Sequence, residues 1–239
     1  MIIEQLYPEI ANQFGDTGNV RYLCASDPNA RLTQTSCFEV PNFIRDHSDL
    51  LVIGAMSEQK QPIVRDALQR FRHDLRQYIA DGGAALFTGS AIELLGEYVE
   101  QGNEKIPMLG LYPFTVERHF DRRRNTMIYG EYHGMKIVGV KSQFACLHGP
   151  QGYPFIHIIK GYGNGGDDPN EGLKDNNLYA TYLLGPLLVE NPPLARELLG
   201  IGGYHGPLAF ERQAMQAYEE KTAHMARPDA QVELGAHGN

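Results

Sequence analysis

The residues most able to do chemistry lie at a strand-to-helix turn. Residues 84–96 read as a short apolar strand (Ala84-Ala85-Leu86-Phe87), a small-residue triplet (Thr88-Gly89-Ser90) and then an amphipathic helix closed by Gly96. Such a turn lifts one side chain to the carboxyl end of a sheet, beside the unpaired N–H groups of the helix, as acyl transfer requires. An amidase or esterase places cysteine or serine at the apex. Here the apex is Gly89, which has no side chain to attack with. A hydrolase built on this turn would have to use Thr88 or Ser90, although Ser and Thr at such turns commonly act as N-caps.

Other candidates lie further along the chain. Cys146-Leu147-His148 puts a thiol and an imidazole two residues apart, on one face if the segment is a strand. An isolated cysteine is more often a buried small hydrophobe. His133, His157 and His205 lack ligand spacing, so no metal site is expected. Asp167, Asp168 and Glu171 form an acidic loop that reads as solvated, because nothing fixes a coordination geometry. The basic run Arg122-Arg123-Arg124, with Arg118 nearby, reads as a solvated surface, an anion or partner contact being the alternative.

The elements that must position these groups follow from apolar patterning. Residues 2–6 read as a first strand, 19–25 as a helix behind the Gly15-Asp16-Thr17-Gly18 turn, and 33–40 as a second strand. Residues 49–54 form an apolar run closed by glycine, as in a buried parallel strand. One helix is predicted over 62–79, with Ile63, Ala67, Leu68, Phe71, Leu75 and Ile79 on one stripe and Asp81-Gly82-Gly83 ending it. Alternating strands and helices favour a mainly parallel sheet covered by helices. From 109 to 159 extended segments dominate (114–117, 126–132, 135–140 and 155–159), with Tyr132-His133-Gly134-Met135 as a hairpin turn. This half is expected to extend the same sheet in antiparallel fashion. Residues 161–177 form a Gly/Asp/Asn-rich loop, 177–184 a last strand and 193–199 a short helix.

Composition narrows the class. The chain has 239 residues, 42% hydrophobic and 21% charged, with a formal charge of -8. That length holds one large α/β domain, and the acidic balance argues against a nucleic-acid partner. Three cysteines without CxxC spacing point to a reducing compartment. The start lacks a signal-peptide pattern, and no apolar run approaches membrane-spanning length, so a cytoplasmic location is expected.

Several stretches together resemble one family. Leu6-Tyr7-Pro8 with Phe14-Gly15-Asp16-Thr17-Gly18-Asn19 is similar to the opening of the CobB/CobQ-like class I glutamine amidotransferases. Tyr162-Gly163-Asn164-Gly165 and Ala180-Thr181-Tyr182-Leu183-Leu184-Gly185-Pro186-Leu187-Leu188 are similar to the end of their catalytic domain. Within that family the likeness points to the glutaminase subunit of lipid II isoglutaminyl synthase, which pairs with a Mur-ligase-like subunit to amidate peptidoglycan precursor. It runs from about residue 6 to residue 199.

The resemblance implies a three-layer, flavodoxin-like α/β domain over 1–224, with a mostly parallel central sheet and an antiparallel extension. Residues 225–239 read as a disordered tail. The family's C-G-G-Y-Q-x-L-G turn places its nucleophilic cysteine on Gly89, and its Y-L-H-G-P motif places the general-base histidine on Leu184. Its G-G-G-x-D-x-x-Q loop, which supplies oxyanion donors, corresponds to residues 54–61, where Gly54 and Gln61 match. A further family histidine falls near Gln143.

Nucleophile and base are both replaced, so the expectation is a protein without glutaminase activity that acts by binding. A Mur-ligase-like or other synthetase is the expected partner, with no cofactor, nucleic acid or membrane. The crevice is expected to be lined by Gly54, Met56, Thr88, Gly89, Ser90, Gln143 and Leu184, more apolar than one shaped for glutamine. The alternative is a hydrolase of the same lineage using Ser90 or Cys146.

Overall fold

A computed structural model of the chain describes residues 1–149, 153–165 and 168–234. In chain order the strands are β1 (Ile2–Leu6), β2 (Arg31–Thr35), β3 (Leu50–Ile53), β4 (Ala84–Thr88), β5 (Tyr98–Gln101), β6 (Glu104–Pro107) and β7 (Thr115–Arg118). Then follow β8 (Arg124–Tyr132), β9 (Met135–Gln143), β10 (Ala145–His148), β11 (Ile156–Lys160), β12 (Asn170–Glu171), β13 (Leu173–Asp175) and β14 (Leu178–Thr181). The helices are α1 (Thr17–Ser26), α2 (Asn42–Arg45), α3 (Gln61–Gln69), α4 (Arg72–Ala80), α5 (Leu187–Glu190), α6 (Pro192–Ile201) and α7 (Glu211–Ala226).

The central sheet runs β13-β14-β4-β3-β1-β2, parallel except for β13 at its edge. Period-two geometry sends alternate side chains to opposite faces. Leu51, Ile53, Ala85 and Phe87 join a core with Val64, Leu68, Leu75 and Ile79 of α3 and α4. Leu50, Val52, Ala84 and Leu86 join a second core with Val20 and Leu23 of α1 and Leu194 and Leu198 of α6. Both faces are covered, which is why β3 and β4 are apolar at every position but Thr88. The result is a three-layer domain.

The antiparallel half departs from expectation. Among the described residues only β13 extends the central sheet in antiparallel fashion; the other extended segments form two separate four-stranded sheets, β10-β7-β5-β6 and β12-β11-β8-β9. The β8–β9 hairpin pairs Tyr132 with Met135 across His133 (φ 47°) and Gly134 (φ 79°), a tight turn with two positive φ angles. With nine paired positions in that ladder, the hairpin meets its backbone hydrogen bonding without joining the central sheet.

Three local readings also change. The helix predicted over 62–79 is two helices, broken where Phe71 adopts φ -118°, ψ 21° and donates its N–H to Leu68 O. Within the first of them Ile63 faces outward, 47% exposed, and Val64 takes the inner position. The segment after β4 is a 3-10 helix, Gly89–Leu95, buried at every position except Ser90, rather than an amphipathic α-helix. The glycine-rich 161–177 stretch carries β12 and β13, with Asp167 outside the described residues. Within the segment read as a tail, Met225 is buried and Glu233 bridges Thr126; residues 235–239 lie outside the described residues.

Candidate functional site: a crevice at the carboxyl ends of the strands

Parallel strands open their carboxyl ends toward one crevice. β4 delivers the 84–96 turn there, and the segment after β14 delivers Leu184. Gly89 takes φ +58°, and its N–H donates to Leu183 O at 3.1 Å. A Cβ built on Gly89 would lie 2.6 Å from the Ala55 Cβ and 3.4 Å from Leu184 Cδ2. The fold therefore brings Gly89 and Leu184 together. The Ala55 methyl already fills the space into which a side chain at 89 would project.

Asp16 lies beneath this junction, buried, between β1 and α1. Its carboxylate accepts from Thr88 Oγ1 at 2.6 Å and from the backbone N–H of Phe14 at 3.4 Å. Burial pushes the Asp16 carboxyl above the ordinary carboxylate range, and the Thr88 hydrogen bond opposes that rise. Thr88 thus points into the floor and not into the cavity. Gly54 is also a floor residue, because any Cβ there would strike Asp16.

The open space, about 170 Å³, is walled by Met56 and Glu58 after β3, by Ser90, by Gln143 at the end of β9, and by Arg123 and Leu184. Of the seven expected positions, Met56, Gly89, Ser90, Gln143 and Leu184 line it; Gly54 and Thr88 support it. Met56 and Leu184 do not make it apolar, since Glu58, Ser90, Arg123 and Gln143 share the wall. Among the described residues no thiol or imidazole lines it.

The Ser90 hydroxyl and two of the N–H groups near the apex are already engaged. Ser90 Oγ donates to Met56 O at 2.6 Å and accepts from Met56 N–H at 3.0 Å. That pair of bonds makes Ser90 a tie between turn and loop, with its proton committed. The N–H of Met56 goes to Ser90 and that of Gly89 to Leu183. These two N–H groups are not free to receive a developing oxyanion, which would need such donors pointed at it.

The thiol candidate lies elsewhere. Cys146 is buried on β10, and His148 is turned to Glu117, 3.2 Å away at the surface. Glu117 also meets His119 at 3.2 Å. Among the described residues no group of three His, Cys, Asp or Glu side chains is arranged to hold a metal ion. No described helix is long and apolar enough to cross a membrane.

Two buried charge pairs stiffen the crevice floor, and neither is visible in local sequence. Glu93 pairs with Arg118; Gln61 Nε2 donates to Ser90 O at 2.9 Å and Glu93 Oε2 at 3.1 Å; Tyr182 OH donates to Glu93 Oε1 at 3.3 Å. Lys141, fully enclosed, lies 3.5 Å from Glu171 and donates to Gly163 O at 2.9 Å. Burial lowers the Lys141 ammonium's affinity for its proton, an effect that Glu171 opposes. Glu171 accepts in turn from Thr181 Oγ1 at 2.7 Å and Tyr182 N–H at 2.8 Å. The partners lie 25 and 30 positions apart in the chain, so only the fold reveals them.

No protein-family model matches the chain. It is 27% identical over 195 residues to the Staphylococcus aureus protein named lipid II isoglutaminyl synthase (glutamine-hydrolyzing) subunit GatD, over 79% of this chain and 78% of the relative. It is 26% identical over 203 residues to the Streptococcus pneumoniae protein of the same name, over 82% and 78%. A crystal structure described as a glutamine amidotransferase shares the fold, with a TM-score of 0.57 at 14% identity over 84% of this chain and 99% of that one.

Proposed function

We propose that this chain, which is similar to GatD subunits and has the fold of a class I glutamine amidotransferase, is an amidotransferase-like subunit without glutaminase activity that works by binding. In this reading its ancestry is of the CobB/CobQ type. Its partner is a Mur-ligase-like synthetase that amidates peptidoglycan precursor in the cytoplasm, and it needs no cofactor. The observation that carries the reading is the meeting of Gly89 and Leu184 against the Ala55 methyl.

Glutamine hydrolysis on such a scaffold needs a thiolate, a base to form it and donors for the tetrahedral oxyanion. Glycine supplies no nucleophile, leucine accepts no proton, and two N–H groups around the apex, those of Met56 and Gly89, are engaged internally. Removing one member of such a constellation typically lowers the rate by several orders of magnitude. Of the alternative nucleophiles, Ser90 has no imidazole beside it in the crevice among the described residues, and Cys146 lies outside the crevice with His148 turned to Glu117.

The test is ammonia release from glutamine by the purified chain, alone and with a Mur-ligase-like synthetase. The expected result is co-elution of the two proteins with ammonia at the level of a protein-free control. Ammonia release that Ser90→Ala or Cys146→Ala abolishes would overturn the reading in favour of a hydrolase with a non-standard nucleophile.

A further inference from the structure

The outer edge of β8 is covered by two different segments. β11 pairs with Tyr129, Gly130 and Glu131, then slips register between Ile158 and Lys160 and turns away at Gly161 (φ +106°). That departure leaves the edge at Asn125–Met127 without β11. The chain's own C-terminal segment fills it: Met127 N–H donates to Val232 O at 2.7 Å, Leu234 N–H donates to Asn125 O at 3.1 Å, and Glu233 sits opposite Thr126 in antiparallel register. Thr126 Oγ1 adds a bond to Val232 O at 3.2 Å.

The side chains around this short strand are basic and aromatic. Arg124 lies over the Tyr162 ring, 5.3 Å from its centroid, and Tyr162 OH donates to the Glu233 carboxylate at 3.4 Å. Arg123 and Arg124 share with Tyr162 and Glu233 a cleft of about 170 Å³. Among the described residues neither guanidinium has a carboxylate within ion-pair distance; Arg123 donates to Ser142 Oγ at 2.9 Å. In a chain of net charge -8, this is the one run of three consecutive basic residues.

We infer that the Asn125–Met127 edge of β8, with the Arg123–Arg124–Tyr162 cleft beside it, is a strand-accepting site for an extended acidic segment of a partner, held closed in cis by Val232–Leu234. Strand addition supplies affinity through backbone bonds, and side-chain pockets supply selectivity. The tail shows both parts of that recognition: two backbone bonds along the edge and a carboxylate that accepts from Tyr162 OH in the cleft that Arg123 and Arg124 also line. A partner segment of the pattern apolar–acidic–apolar satisfies the same groups. The tethered tail competes at high effective concentration, so the site is closed until the tail leaves.

A variant ending at Arg227 keeps α7 and the Lys160–Arg227 contact while removing the strap. The probe is a synthetic peptide of residues 228–234. The shortened protein is expected to bind it saturably, at least about ten-fold more tightly than the full chain does, as removal of an intramolecular competitor requires. Carrying Glu233→Lys, the peptide is expected to lose at least about ten-fold in affinity, the scale of one charge-assisted contact. Equal binding to both proteins, no binding to either, or an unaffected Glu233→Lys peptide would overturn the inference. If the shortened protein does not fold, Leu234→Pro in the full chain removes one edge bond. The Met127 amide should then exchange hydrogen faster and regain protection on adding peptide, and an unchanged amide would overturn the inference equally.

Discussion

Ala55 controls what position 89 can hold. Its Cβ would lie 2.6 Å from any Cβ placed at 89, well inside van der Waals contact, and Gly89 also takes φ +58°, which a non-glycine residue adopts only under strain. Gly89→Cys should therefore lower stability by about 1–3 kcal/mol from backbone strain alone, with the methyl clash added. Ala55→Gly should recover the clash component and leave the strain, so urea denaturation of the two single variants and the double variant should show non-additivity, as expected for touching residues. Additive effects would mean that the methyl is not the obstacle. Ser90→Ala removes both bonds to Met56 and leaves its buried backbone groups unmet, which should cost about 1–3 kcal/mol in the same assay. The pair Gly89 and Leu184 is legible in the sequence because each lies inside a short motif of fixed spacing. The obstruction by Ala55 is not, since it is a distance between residues 34 positions apart.

Asp16 holds the end of β4 to the loop before α1, and its titration reports on that joint. Its folded-state carboxyl is raised by burial above the unfolded value of 3.8, so the folded state binds the proton more tightly. The stability that this group contributes is therefore fully present below pH 3.8 and is lost as pH rises through the folded value. Compared with Asp16→Asn, the native chain should lose ground in urea denaturation as pH climbs above 3.8; a pH-independent difference between the two would remove Asp16 from that role. A second joint is Lys141, which ties β9 to the Gly163 loop and to Glu171 on β12. Lys141→Met leaves Glu171 charged and buried, a change that should cost about 3–5 kcal/mol by thermal or chemical denaturation. At this scale β3, β4 and β14 were readable, because strands covered on both faces are continuous apolar runs. The break at Phe71 and the 3-10 turn after β4 were not: both are set by tertiary packing overriding a pattern that also fits one regular helix. Which sheet an extended segment joins was equally hidden, since ladders are settled by partners distant in sequence.

The molecule as a whole is a central sheet with a separate core on each side, two further four-stranded sheets, and a smaller cluster where α7 covers β8 and β9. The three-layer plan and the crevice at the strand ends follow from the order of apolar runs and turns. α7 does not, because its buried contact is thin: Met225 meets Tyr129 and Val138, and most of its other residues face water. Met225→Ala should cost about 2 kcal/mol, the low end for such a truncation, and should speed amide exchange in α7 while leaving β3 and β4 protected. Exchange accelerating equally throughout would show that this cluster is no separate unit. The Ala55 methyl has one last consequence, for redesign. Installing a reactive thiol at position 89 takes room before sulfur, and a proton acceptor after both, three substitutions at 55, 89 and 184. Each intermediate with fewer than three is either crowded or without a base, so an engineered nucleophile here has to be built in one step.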